Sequence, residues 1–429
     1  MMANKSYLII FTIIILLAMI LGGCAQPATP TVLPAETEAA AEPGPTEPPL
    51  PPAPEKIKFG SALELSGWAV GDTELAHTIN YNLWAEQLNA EGGIYVKDYD
   101  KRIPVELIIY DSESDIAKTV SLTEKLILED KVDVILPPWA TAFTFAVAPI
   151  INQYKYPMIG TTEASSQLRE AQFPYYFGMW NPASVVADAV VDLANKAGVK
   201  SAAVIFVGTL YGIDQSSMIS PALAGGGVDV KLVESYPLGV TDLSPLLKKI
   251  KDLNPDALIS ISYPADAMLI QEQMTVIDFN PQLFYNSLSG YPQQRDKFGA
   301  EAVQGMISEG AWNKDYTPNS AAYYDAFMAA SNKEPAWDSA ITWASLEMWE
   351  QVLREVGLDR EKQREYIANT VFDTIYGKVK FTDGYNLDTG DPNGANPPVL
   401  GQWQDGVFEV IWPEDVSTKA LIHPKPAWP

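Results

Sequence analysis

Only two histidines, His77 and His423, stand in the 429 residues. A hydrolytic triad built on histidine would have to use one of them. His77 falls in a predicted helix, His423 lies near the C-terminus, and no Gly-x-Ser-x-Gly elbow is there to present a serine. The single cysteine, Cys24, excludes an intrachain disulfide and any cysteine-rich metal site, and no metal centre of the His or Cys type can be built. Asp383, Asn386, Asp388, Asp391 and Asn393 form a string of oxygen donors, but their spacing fits hairpin turns better than a calcium loop. Gly225-Gly226-Gly227 lacks a following Lys-Ser/Thr and precedes a predicted strand, so it is no phosphate loop. What the chain does carry is large rings at predicted strand ends: Trp68, Trp139, Trp180, Tyr211, Tyr263 and Tyr291. Rings spent at the mouth of a cleft wall a pocket, the alternative being packing between lobes or at a hinge. The chemistry to expect is non-covalent capture of a small solute, with no cofactor and no metal.

Those rings need a scaffold, and the hydrophobic pattern supplies one. Apolar runs at Ile57 to Leu65, Val105 to Tyr110, Val132 to Leu136 and Pro157 to Gly160 read as strands. Between them, Leu75 to Ala90, the face Ile116, Val120, Thr123 and Ile127, and Phe143 to Tyr154 read as helices. A second series follows Pro182, with strands at Ala202 to Val207, Val228 to Tyr236 and Ala257 to Ser262. Its helices fall before the first of these and at Leu243 to Leu253, Pro264 to Ile277 and Asp338 to Val356. Strand and helix alternating with right-handed crossovers predict an α/β fold of two doubly wound lobes, each a parallel sheet flanked by helices. Ligands of such sheets bind at the carboxyl ends of the strands, here in a cleft between the lobes.

The N-terminus reads as an export signal. A short polar segment with Lys5 precedes an apolar stretch from Tyr7 to Leu21, too short to be a comfortable membrane span of roughly 20 residues. Leu21-Gly22-Gly23-Cys24 resembles the bacterial lipobox, which implies removal of residues 1 to 23 and lipidation of Cys24. One residue in three from Ala25 to Pro54 is proline and none is aromatic, so residues 24 to 54 read as a lipidated cysteine followed by a disordered, semi-extended spacer. The formal net charge of −25 argues against nucleic acid or an anionic bilayer as direct partner. The remaining roughly 370 residues are more than one core usually serves.

The series Ile57-Lys58-Phe59-Gly60, Leu65-Ser66-Gly67, Leu88-Asn89-Ala90-Glu91-Gly92-Gly93-Ile94 and Tyr110-Asp111-Ser112-Glu113-Ser114 resembles the type I periplasmic binding proteins of the Leu/Ile/Val and amide-binding group. Asp242-Leu243-Ser244-Pro245-Leu246, Asn254-Pro255-Asp256-Ala257 and Gly299-Ala300-Glu301-Ala302-Val303-Gln304-Gly305-Met306 continue the resemblance as far as about Trp412. It implies three crossings between lobes, with 55 to 180 plus 310 to 376 in one lobe, 181 to 309 plus 377 to 412 in the other, and 413 to 429 as a tail. It also implies two polar grips. The first is the turn holding Trp139, Ala140 and Thr141, where a hydroxyl and helix N-terminal amides would meet a carboxylate or carbonyl; a plain N-cap is the alternative. The second is the loop with Thr161, Thr162 and Glu163, the carboxylate facing a ligand nitrogen or else solvent. Trp68, Tyr211 and Tyr263 fall where the family places ligand-facing residues, and Ser289 lies in a loop where amino-acid binders carry an acid that Asn286-Ser287-Leu288-Ser289 lacks. That departure points to a ligand bulkier or less zwitterionic than leucine: an aromatic acid, an amide or a urea-like compound.

The resemblance thus implies a monomeric extracytoplasmic lipoprotein, anchored to the cell membrane, that captures a small solute and passes it to the permease subunits of an ABC importer. A ligand sensor of the same fold serving a signalling partner is the alternative. A lipid-anchored hydrolase would need acid and base residues converging in the cleft, which two distant histidines disfavour.

Overall fold

The computed structural model describes residues 52–382, 386–387 and 399–429. Cys24, the spacer up to Pro51 and most of the acidic string from Asp383 to Asn393 lie outside them.

In chain order, β1 (Ile57–Leu63), the hairpin β2 (Ile94–Val96) and β3 (Lys101–Ile103), β4 (Val105–Asp111) and β5 (Val134–Ile135) come first. β1 lies parallel between β4 and β5, with Ile57 and Phe59 fully buried. The strand expected at Val132 to Leu136 is cut to two residues because Pro137 and Pro138 offer no N–H to a neighbour. The helix Ile116–Leu128 starts where Asp115 accepts from Lys118 N at 2.7 Å, an ordinary N-cap. A helix was expected over Leu75 to Ala90, and the chain departs from it at the start. Glu74–Thr78 forms a π-helical turn before the helix Ile79–Ala90, and such turns recur at functional sites.

β6 (Met158–Gly160) and β7 (Tyr176–Gly178) pair in parallel. β8 (Ser201–Val207), β9 (Asp229–Tyr236), β10 (Ala257–Ile261), β11 (Leu283–Asn286) and β12 (Ile307–Glu309) follow as a second parallel set, each joined to the next by helix. After the long helix Trp337–Val356 come β13 (Phe372–Thr374), β14 (Gly377–Val379), β15 (Phe381–Thr382), β16 (Asn386–Leu387), β17 (Leu400–Gln404) and β18 (Val407–Trp412). The sheets are ordered β4-β1-β5, β15-β16-β7-β6 and β18-β17-β12-β11-β10-β8-β9. The interior of β8 is apolar throughout and that of β10 apolar but for the buried Ser260, as strands covered on both faces should be.

Pairing and hydrogen bonds fix where two late segments lie. β16 pairs with Gly178 of β7, so the chain remains with the first series past residue 377 and only β17 and β18 join the seven-stranded sheet. Residues 413–429 are no free tail. Ile422 N donates to Gln402 Oε1 at 2.8 Å, Lys425 N to Gln282 O at 2.8 Å and Trp428 Nε1 to Phe279 O at 2.9 Å, so backbone and indole donors stitch the segment down.

Candidate functional site

Helices beginning at Thr141, Leu210, Pro264, Pro292 and Trp337 all start around one narrow cavity. Strands β5, β6, β7, β8, β10 and β11 deliver the chain to it, each ending a few residues before a lining side chain. Of the ten residues expected to touch a ligand, Trp139, Ala140, Thr141, Thr162, Tyr211 and Tyr263 line it. Ala140 sits at φ 66°, ψ 153°, a conformation essentially reserved for glycine that costs on the order of 1–3 kcal/mol. It is held there by Trp139 N donating to Glu64 Oε2 at 3.0 Å and Ala140 N donating to Thr162 Oγ1 at 3.2 Å. Thr141 Oγ1 in turn accepts from Ala164 N at 3.3 Å, so the two expected grips are bonded to one another across β5 and β6.

The other four expected residues stand elsewhere. Trp68, 43 % exposed, forms an outer layer with its ring centroid 5.2 Å from Tyr263 and 6.0 Å from Trp139. Thr161 is buried behind the cavity wall, its hydroxyl 2.9 Å from His77 Nε2. The π-helical turn is what brings His77 there, and burial drops its pKa to about 3, so the ring is neutral. Glu163 lines a separate hollow with Ser165 and Tyr176. Its carboxyl lies over Gly160 and Gly178, where any Cβ would collide with it, and burial raises its pKa to about 8. Ser289 is buried without lining the cavity; its carbonyl accepts from Trp403 Nε1 at 2.8 Å, while its neighbours Leu288 and Tyr291 do line it.

Trp180 and Tyr291, noted in the sequence only as rings at strand ends, are part of the wall. Trp337 and Asp338 were not anticipated. An aspartate in the first turn of a helix reads as an ordinary response to the helix dipole, and nothing local announces that this one is buried in a cavity. Asp338 Oδ2 accepts from Tyr291 Oη at 2.5 Å and Oδ1 from Ser339 N at 2.8 Å. Burial raises its pKa to about 6, with hydrogen bonds from Tyr291, Ser339 N and Trp139 pulling the other way, so at neutral pH it is mostly ionised. Asp338 and Asp266 together reinforce the burial that holds the carboxyl of Asp72 above its usual range. The acid that the 286–289 loop lacks therefore reaches the cavity from another element. A solute carboxylate about 4 Å from Asp338 would meet roughly 4 kcal/mol of repulsion at an effective dielectric near 20. A helix N-terminus returns typically 0.3–1 kcal/mol.

Buried carboxyls also support the wall from behind. Glu309 accepts from Tyr211 Oη and, at 2.9 Å, from Gln215 Nε2; burial raises its pKa to about 8, as it does that of Glu64. For Glu64, Glu163 and Glu309 the folded pKa lies above the unfolded value. Each therefore contributes no penalty below about pH 4.5, and destabilises progressively as pH rises toward 8, because the unfolded chain sheds its proton first. His77, with its depressed pKa, opposes this up to about pH 6.5, and Lys425, lowered to about 7 by burial, opposes it above pH 7. Three carboxyls outweigh either one, so the thermal midpoint should be lower at pH 8 than at pH 5.5, and Glu309→Gln should narrow the gap. A midpoint equal or higher at pH 8 would contradict these protonation states.

A cavity at the carboxyl ends of two sets of parallel strands, walled by rings, lies where such sheets bind their ligands. A profile of the periplasmic binding protein family matches residues 56–393. The chain belongs to that family. This binding protein is accordingly not an enzyme, and its family works outside the cytoplasm. It is 21 % identical over 392 residues to the Leu/Ile/Val-binding protein homolog 7 of Brucella suis, covering 87 % of this chain and 96 % of that one. Its fold matches the branched-chain amino acid transporter substrate-binding protein of Streptococcus pneumoniae solved with isoleucine, with a TM-score of 0.71, 18 % identity and coverage of 82 % and 97 %. It also matches a solute-binding protein of an ABC transporter from Rhodopseudomonas palustris solved with benzoate, with a TM-score of 0.71, 18 % identity and coverage of 87 % and 98 %. The type I α/β fold read from the sequence is the fold of the binding protein.

Proposed function

We propose that this binding protein is the capture subunit of an ABC importer, lipid-anchored through Cys24 and spaced from the membrane by the proline-rich segment. It takes up a small amino-acid-like, amide or aromatic solute between two lobes and presents it to the permease. The observation that carries the reading is the ring-walled pocket between residues of the β5 to β7 strand ends and residues of the β8 to β11 strand ends. The relatives solved with isoleucine and with benzoate support an amino acid or an aromatic acid as the general class. Hinged opening and closing of two lobes would admit and release the solute.

Native mass spectrometry tests this. Protein purified from its host should carry a small-molecule adduct, and Leu288→Arg, which drives a long side chain into the cavity, should abolish it. An adduct that survives Leu288→Arg places capture elsewhere.

A further inference from the structure

Resting on that reading, we infer that the solute's head is a quaternary ammonium, held by a girdle of six rings and the carboxylate of Asp338. Ring contacts run around the cavity in sequence: Trp139 to Tyr263 at 5.8 Å between centroids, Tyr263 to Tyr211 at 5.5 Å, Tyr211 to Trp180 at 5.9 Å. Trp180 to Trp337 at 4.9 Å and Trp337 to Tyr291 at 6.1 Å continue it. Asp338 closes the circuit, accepting from Tyr291 Oη at 2.5 Å and from the side chain of Trp139.

Two of the three tyrosine hydroxyls are committed away from a ligand: Tyr211 donates to Glu309 and Tyr291 to Asp338. Tyr263 accepts from Thr209 Oγ1 at 3.4 Å and keeps its own proton to donate. Beyond that one O–H, what these residues leave for a solute is ring surface, which attracts cations. Asp338 supplies the countercharge, and its hydrogen bonds come from Tyr291, Ser339 N and Trp139, none of them a cation.

The number of acceptors decides between kinds of ammonium. A primary ammonium brings three donors and is strongly hydrated. Asp338 already receives three neutral hydrogen bonds, and the rings offer no strong acceptor. A trimethylammonium brings no donor, so it leaves no hydrogen bond unmade on entering, and the rings and Asp338 offset the lost hydration of its charge. Independently, Trp180 Nε1 and Trp337 Nε1 are buried without a partner, although both rings line the cavity. Orphaned donors of this kind are rare in folded proteins. They suit a solute with a hydroxyl or carboxylate oxygen a few atoms from its charged nitrogen.

Isothermal titration of the full-length, exhaustively dialysed protein with matched pairs tests the inference. Choline should bind more tightly than ethanolamine, and glycine betaine more tightly than glycine, by about 30-fold or more. Benzoate and isoleucine should bind more weakly than either methylated compound. Asp338→Asn, which keeps size and two hydrogen-bonding atoms, should weaken choline binding at least tenfold. Trp180→Phe, which keeps an aromatic ring and removes the indole N–H, should weaken glycine betaine more than choline. Absence of binding by both methylated compounds, or equal binding within either pair, overturns the inference. Benzoate or isoleucine binding that Leu288→Arg abolishes would at the same time leave the capture reading standing, so the two failures are distinct.

Discussion

Gly310→Ala is expected to destabilise the folded protein by about 2–5 kcal/mol and to empty the cavity of its solute. Gly310 directly follows β12 at φ +70°, and a Cβ there would lie 2.1 Å from Cδ2, 2.3 Å from Cε3 and 2.4 Å from Cε2 of Trp337. No side chain fits at such distances, so one of the two must move. The backbone cannot yield easily, since Gly310 N donates to Val399 O at 2.8 Å beside the antiparallel β12–β17 pair. The indole is confined too, with Trp180 at 4.9 Å on one side and Tyr291 at 6.1 Å on the other. Left-handed backbone at a residue with a Cβ costs roughly 1–2 kcal/mol, and over-packing a dense core typically another 1–3 kcal/mol. Displacing Trp337 also deforms the cavity that it lines. Chemical denaturation of the variant, with native mass spectrometry for the adduct, measures both effects. Gly225→Ala is the control, because its Cβ would meet nothing within 4 Å at the end of a helix. A Gly310→Ala protein within about 0.5 kcal/mol of wild type, the scatter of ordinary surface substitutions, would show that Trp337 is not fixed as described.

The second large effect concerns location. Cys24→Ala should move the protein from the membrane fraction to the soluble fraction while leaving solute affinity unchanged. On the proposed anchor, two acyl chains on one cysteine would attach stably where a single chain gives only marginal attachment, so loss of the thiol would remove the whole of it. On the proposed spacer, the segment from Ala25 to Pro54, one-third proline and without an aromatic residue, contributes nothing to the binding site, which is why affinity should not follow location. Cell fractionation and titration on the same preparation read the two outcomes separately. Retention in the membrane fraction would sink the lipid anchor, and loss of binding in the soluble protein would sink the spacer.

How much of the site the sequence reveals depends on how local the signal is. Trp139, Thr141, Thr162, Tyr211 and Tyr263 were legible because each lies just past a predicted strand, where an open parallel sheet presents its ligand face. Glu163 and Thr161 sit in the same kind of loop. Their side chains turned instead to Gly160 and Gly178, and to His77, a choice made by partners up to 84 residues away. His77 looked like a helical histidine without a role, and only the π-helical turn aims it at Thr161.

By itself the sequence determined the alternation of strand and helix, the want of catalytic and metal-binding side chains, and the presence of rings at the strand ends. These follow from periodicity and residue type, which act over a few positions. The tertiary structure decided how those rings join into one girdle and which carboxylate they enclose. Asp338 lies 47 residues from Tyr291 in the chain and 199 from Trp139, and its burial depends on where the start of the long helix meets the loops that follow both sets of strands. Such a site is a property of packing, and no window along the chain contains it.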